Sequence, residues 1–252
     1  MFNLSHILYL VISAIATIGL LILFKFTVKK KNHKFLILKV FAILTVVLHF
    51  STLYVDFFKT GIATVESPQL LPIYPCNIVM WLLLICAFIK NPENKVARTV
   101  LEFTFWAGIV CGIIGVVFNE NYGNNPTLTD WSVFKGLLSH STMIFGCLYI
   151  LLAGLIKIRV RNCVSVFLGL CLFLLDGFII NSLYKIFKLG ECNSMYLQEL
   201  PFVNAPWLNV YTIGIFAIVL VFVLTILYEQ LFVKKEERFT TLLKNKLKKE
   251  KK

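Results

Sequence analysis

Seven long apolar runs constrain this chain more than any other feature. An α-helix needs about 20 predominantly apolar residues to cross the hydrocarbon core of a bilayer. The runs cover residues 7–27, 35–58, 70–89, 99–118, 133–156, 163–185 and 208–231. With 58% hydrophobic residues among 252 and a mean hydropathy of +0.82, the chain has too little polar surface for a soluble domain. The sequence predicts an all-α polytopic membrane protein with seven transmembrane helices.

The basic residues change in density from one loop to the next. Cytoplasmic loops of membrane proteins carry an excess of lysine and arginine. If the N-terminus lies outside, all but four of the 25 basic residues lie inside, the exceptions being Lys59, Lys135, Lys185 and Lys188. The pattern therefore predicts an N-out, C-in orientation. We expect residues 1–233 to form the membrane domain and residues 234–252 a basic cytoplasmic tail.

The net charge of +12 follows the loops rather than forming one patch, so nucleic acid is not expected as a partner. The tail places Phe239, Leu242, Leu243 and Leu247 among lysines. Such a segment can lie on anionic lipid head groups as an amphipathic helix, or it can be a solvated end. Abundant lysine, isoleucine, phenylalanine and asparagine are typical of AT-rich bacterial genomes. We expect a multi-pass protein of the bacterial plasma membrane.

The cysteines do not indicate a disulfide framework or a metal site. Six of the seven lie in or at the ends of apolar runs, where a thiol is usually a small apolar side chain. The sequence contains no CxxC, HExxH or similar cluster. It also lacks a glycine-rich phosphate loop, and we expect no cofactor.

The stretch LPIYPCN, residues 71–77, opens the third run with two prolines. Proline is favoured in the first turn of a helix because that turn needs no N–H from it. If a helix begins at Pro75, the thiol of Cys76 lies at the positive end of the helix dipole, which stabilises a thiolate. Unpaired backbone N–H groups there could also hold an oxyanion. The alternative is a proline kink beside a cysteine of no chemical importance.

Several polar residues lie at similar depths in the outer halves of their runs. Counting about 1.5 Å per residue, Cys76 lies about 9 Å and His140 about 10–14 Å below the outer end of its run. Ser139 flanks His140, and Asp176 and Asn181 lie at comparable depths in the sixth run. Ionisable residues within spans are costly and are candidates for function. Equal depth allows these side chains to meet.

His49 in the second run competes with His140 for a functional role. It lies about nine residues below the outer end, or about 14 Å, with Asp56 two turns above it. It could instead be a packing histidine bonded to a carbonyl or a hydroxyl. The sequence leaves the roles of His49 and Asp56 open.

These motifs resemble the YwaF-like integral membrane family of bacteria, whose vertebrate branch includes an acyltransferase that makes polyunsaturated ether phospholipids. The resemblance covers about residues 65–230 and consists of short motifs in order. They are LPIYPC (71–76), FWAGIVCGIIG (105–115), SH (139–140), Asn181, GECNSMY (190–196) and PW (206–207). Family members commonly have His at the position of Tyr74 and often Asp at that of Asn77.

The resemblance implies a cysteine–histidine acyltransferase, with Cys76 as nucleophile and His140 as base. On this hypothesis a phospholipid acylates Cys76, and a lysolipid hydroxyl then takes the acyl chain, with lipid hydrolysis as a side activity. Helix N–H groups, Asn77 or Asn181 would hold the oxyanion, and Asp176 would orient His140. The remaining supporting residues are Tyr74 and Ser139.

Two other classes of function remain open. A small-molecule transporter or membrane substrate-binding subunit would use an outward-facing polar pocket and would not need the thiol. A seven-helix receptor or scaffold would use the basic tail as a partner site.

Overall fold

The computed structural model describes residues 2–61, 71–199, 206–207 and 209–250. Helices make up 79% of the residues that the structure describes, and the same residues contain no β-strand. The predicted all-α class is therefore confirmed. The chain forms two compact units, Met1–Leu155 and Ile156–Lys252.

The first unit is built around one central helix. Its helices are α1 (Leu4–Thr27), α2 (Lys31–Thr60), α3 (Pro75–Ala87), α4 (Lys95–Val117), α5 (Glu120–Asn124) and α6 (Trp131–Leu152). Helix α6 packs most extensively against α4 and α2, and α3 packs against the same two helices. The side chains of α1 are largely exposed, as expected for a helix that faces lipid. Helices α2, α3, α4 and α6 thus form the core of this unit.

Local sequence signals set the ends of these helices. The side chains of Asn3, Asn94 and Asp130 each accept a backbone N–H of the first turn that follows, which satisfies donors that the helix leaves unpaired. Hydrogen bonds from Ser132 hold the pKa of Asp130 below its usual value. Helix α2 is capped at its C-terminal end by Gly61, whose φ of 73° favours glycine.

The second unit contains α7 (Val164–Phe187), α8 (Val210–Phe232) and α9 (Phe239–Glu250). The side chain of Asn181 forms two hydrogen bonds with the loop after α7. Its Oδ1 accepts the N–H of Ser194 at 2.8 Å, and its Nδ2 donates to the Ser194 carbonyl at 3.1 Å. Near the end of α8, the carboxylate of Glu229 accepts the N–H groups of Val160 at 2.9 Å and Phe239 at 2.7 Å.

Among the residues that the structure describes, six helical segments are long and apolar enough to cross a membrane. They correspond to the predicted runs other than the third, so the protein is a multi-pass membrane protein. The third run contains α3, which has only 13 residues and is about 20 Å long. Two prolines at its start shorten it, because residues 71–74 remain irregular before the helix begins at Pro75. The count of seven spans and the orientation stay predictions.

Candidate functional site

A small cavity lies between α2, α3 and α6 in the first unit. Its volume is about 20 Å³, which is room for a single water molecule. Residues of three helices line it, namely Thr45, His49, Cys76, Asn77, Met80, Ser139, His140 and Met143. The structure therefore brings together four of the predicted site residues, Cys76, Asn77, Ser139 and His140, and adds His49.

The first turn of α3 presents the thiol to this cavity. Helix α3 begins at Pro75, as the sequence predicts, and Cys76 is its second residue. The thiol donates to Oδ1 of Asn77 at 3.3 Å. The backbone N–H of Asn77 donates to the Tyr74 carbonyl at 2.9 Å, and its Nδ2 reaches the Leu71 carbonyl at 3.5 Å. Asn77 thus holds both the thiol and the irregular segment before the helix.

Helix α6 places His140 on the same cavity, against the backbone of α4. A Cβ atom added to Gly115 would lie 2.5 Å from Nε2 and 2.6 Å from both Cδ2 and Cε1 of His140. Real Cβ atoms do not approach other atoms so closely, so the ring occupies space that a side chain at position 115 would need. The position of the imidazole therefore depends on glycine at this point of α4.

His49 of α2 is the site residue that sequence analysis left without a role. It lines the cavity together with Cys76 and His140, and its ring meets that of Phe50 edge-on at 5.0 Å. Its carbonyl accepts a hydrogen bond from Nζ of Lys135 at 3.3 Å. The sequence places His49 about as deep in its run as His140, but depth alone does not distinguish a site residue from a packing histidine.

Hydroxyl groups join α2 to α6 beside the cavity. Oγ1 of Thr45 donates to Oγ1 of Thr142 at 3.0 Å, and that hydroxyl donates to the Ser139 carbonyl at 2.8 Å. The Ser139 hydroxyl donates within its own helix, to the Gly136 carbonyl at 2.9 Å. These bonds fix the spacing of the two helices that carry the histidines.

The other predicted site residues lie elsewhere. Tyr74 is the residue before α3 and has an extended backbone. Asn181 and Asp176 belong to the second unit, where Asn181 fastens the loop at Ser194. Within the described residues, Oδ2 of Asp176 is buried without a hydrogen-bond partner. Neither structural observation tests the predicted catalytic roles of these residues.

Among the residues that the structure describes, no three His, Cys, Asp or Glu side chains are close enough to hold a metal ion. The donors at the cavity are a thiol, two imidazoles, an amide and hydroxyls. Such a set can exchange protons and provide a nucleophile.

A comparison with family models matches the TMEM164 family over residues 1–228. The chain belongs to the TMEM164 family. No curated protein and no solved structure matches it. The YwaF-like assignment is wrong, because TMEM164 is a distinct family. The motifs that suggested it are short, and short motifs in apolar helices and their loops do not separate one family from another.

The TMEM164 match includes the whole first unit, and so all residues of the cavity. Membership of the TMEM164 family assigns no activity by itself.

Proposed function

We propose that this TMEM164-family protein is an integral membrane acyltransferase that moves a fatty acyl chain between membrane lipids through a thioester on Cys76. The observation that carries the proposal is the shared cavity of Cys76 and His140, between predominantly apolar helices. Polar groups at such a depth are costly and are kept where they serve a function. A thiol and an imidazole that line the same cavity are the components of a cysteine–histidine nucleophile.

In the proposed mechanism His140 takes the proton of the Cys76 thiol, and the thiolate attacks the ester carbonyl of a phospholipid. When the carbon–oxygen bond breaks, protonated His140 gives its proton to the leaving lysolipid oxygen. The hydroxyl of a second lipid then loses its proton to His140 and attacks the thioester. The carbon–sulfur bond breaks, and the thiolate recovers a proton.

Asn77 is the neighbour best placed to assist this reaction. Its side chain already contacts the thiol, so its amide can turn an N–H group toward the oxyanion of the tetrahedral intermediate, whose carbon is bonded to the same sulfur. Since the resting thiol donates to Asn77, proton transfer to His140 requires rotation of the Cys76 side chain or a water molecule in the cavity. The cavity has room for one such water.

The proposal includes seven spans with the N-terminus outside and the tail inside. The basic loops support it. If α3 entered and left on the same side, the segment with Lys90, Lys95 and Arg98 would lie outside, contrary to the rule for basic residues. A short crossing by α3 keeps these residues inside.

The tail is proposed to bind anionic lipid head groups. Leu242, Leu243 and Leu247 on α9 are 54%, 44% and 49% exposed, and lysines follow one another along the same helix. On a bilayer surface the exposed leucines can insert between lipid tails, while the lysines contact anionic head groups.

The test is acyl transfer by the purified protein from an acyl-labelled phospholipid to a lysolipid. We expect Cys76→Ala to abolish transfer and His140→Ala to lower it by roughly 10²–10⁴-fold, as for loss of a general base. Intact mass should show an acyl adduct on the wild type but not on Cys76→Ala. Cys171→Ala is the control, because Cys171 is exposed and outside the cavity.

Full transfer by both cavity variants would overturn the proposal. Saturable binding of a small molecule that survives Cys76→Ala, without any adduct, would favour the transport alternative.

A further inference from the structure

A lysine lies beside the cavity, on the side toward the predicted outer surface. Lys135 belongs to α6, one turn before the cavity residue Ser139. Its Nζ donates to the carbonyl of His49, another cavity residue, at 3.3 Å. The residue is half-buried. This places an ammonium group at the edge of the cavity.

The height of Lys135 suits one part of a lipid substrate. It lies five residues before His140 on the same helix, which is about 7.5 Å along the axis. The phosphate and the acyl esters of a glycerophospholipid are carried on one glycerol, with the phosphate nearer the membrane surface. An ester at Cys76 and His140 would therefore bring the phosphate to the level of Lys135.

We propose that Lys135 is the head-group subsite of this cavity and binds the phosphodiester of a glycerophospholipid. The inference rests on the proposed function and specifies its substrate class. A phosphate oxygen accepts a charge-assisted hydrogen bond from an ammonium, which is stronger than a bond to a neutral carbonyl. The ammonium has three N–H donors, so a phosphate can be an additional acceptor beside the His49 carbonyl and set which ester reaches Cys76. Neutral glycerolipids lack this anchor and are poorer donors.

A purely structural role is the competing explanation. Lys135 and Trp131 lie four residues apart on α6, and both bond to α2, since Nε1 of Trp131 donates to Oγ of Ser51 at 3.0 Å. Both residues could serve only to hold the two helices together. Trp131→Phe removes one such bond without changing the charge at the cavity, and so provides a matched control.

The experiment compares two labelled donors with the same acyl chains, a phosphatidylcholine and a diacylglycerol, in transfer to a lysolipid. Lys135→Met should lower transfer from the phospholipid by about 10- to 100-fold and leave the diacylglycerol rate unchanged. Lys135→Arg should keep the preference for the phospholipid. Trp131→Phe should affect both donors equally.

An equal loss with both donors in Lys135→Met would overturn the proposal and leave Lys135 as a structural contact. Unchanged phospholipid transfer in that variant would overturn it too.

A binding measurement separates this inference from the proposed function. Cys76→Ala cannot form the thioester, so a fluorescent lysophospholipid can be titrated against it with and without Lys135→Met. Weaker binding in the double variant, with no change for a fluorescent monoacylglycerol, would support the subsite even if the wild type transferred no acyl chain. Equal binding of the lysophospholipid by both variants would overturn the subsite.

Excess inorganic phosphate should not displace the lysophospholipid, because the acyl chain and the head group bind together. Displacement by phosphate alone would indicate a site for free anions and would overturn the lipid assignment.

Discussion

The position of the His140 imidazole depends on the absence of a side chain at Gly115. Gly115 gives it room on α4, and nearby Gly112 does the same for Ile144, whose Cγ1 would lie 2.4 Å from an added Cβ. The two glycines therefore face the same helix, α6, but meet chemically different partners. Their comparison separates the effect of overpacking from the effect of moving the proposed base.

We expect Gly115→Ala to lower acyl transfer at least tenfold, because the added methyl group displaces the imidazole. Gly112→Ala should cost about the same stability, about 1–3 kcal/mol for an overpacked core position, yet keep most of the transfer activity. Thermal unfolding and transfer rates of both variants provide the measurement. Equal transfer rates in the two variants would show that the position of the imidazole is not important.

Sequence could identify the main cavity residues but not the contacts that place them. Cys76 and His140 were identifiable because polar residues are rare in apolar runs and these two lie at matching depths. The contact with Gly115 was not, because a sequence does not specify which face of α4 packs against α6. His49 remained open for a related reason, since its side chain could equally have bonded within its own helix.

At the scale of elements, Glu229 connects three segments. Its buried carboxylate, near the end of α8, accepts the N–H of Val160 before α7 and the N–H of Phe239 at the start of α9. Charge patterning predicted a basic tail but gave no reason for it to be fixed to α8. Because buried N–H groups need acceptors, this carboxylate determines where α9 begins.

Glu229→Ala should release the tail, since both N–H groups lose a charged acceptor at a cost of about 1.5–3 kcal/mol each. In nanodiscs with anionic lipid we expect trypsin to cleave after the tail lysines several times faster in this variant than in the wild type. Glu229→Gln should fall between the two, and Glu236→Ala, at an exposed position, should match the wild type. Wild-type cleavage rates in Glu229→Ala would contradict a role for the carboxylate in fixing α9.

At the scale of the whole molecule, the hydropathy of the chain predicted its class and the six long apolar helices found among the described residues. The third run does not form a long helix, because the prolines at its start keep the first residues irregular and the helix begins only at Pro75. A hydropathy profile does not show this effect of proline. Whether α3 nevertheless crosses the membrane decides the side on which every later loop lies. Labelling from one side of the membrane can determine this.

We expect Asn91→Cys, in the exposed turn after α3, to react with a membrane-impermeant maleimide only after the cells are permeabilised. Asn124→Cys, exposed before α6, should react in intact cells. Both are made in a variant that lacks Cys192. Labelling of Asn91→Cys in intact cells would mean that α3 does not cross, and the orientation of all later helices would reverse.

The size of the cavity has a consequence for selectivity among fatty acids. A space for one water is too small for a hydrocarbon chain, so under the proposed function a lipid tail would have to part α2, α3 and α6. Met80 and Met143 line that space, and unbranched thioether side chains rearrange more readily than branched ones. Discrimination between straight and bent tails would then reflect the ease with which two methionines move aside, instead of the shape of a permanent tunnel.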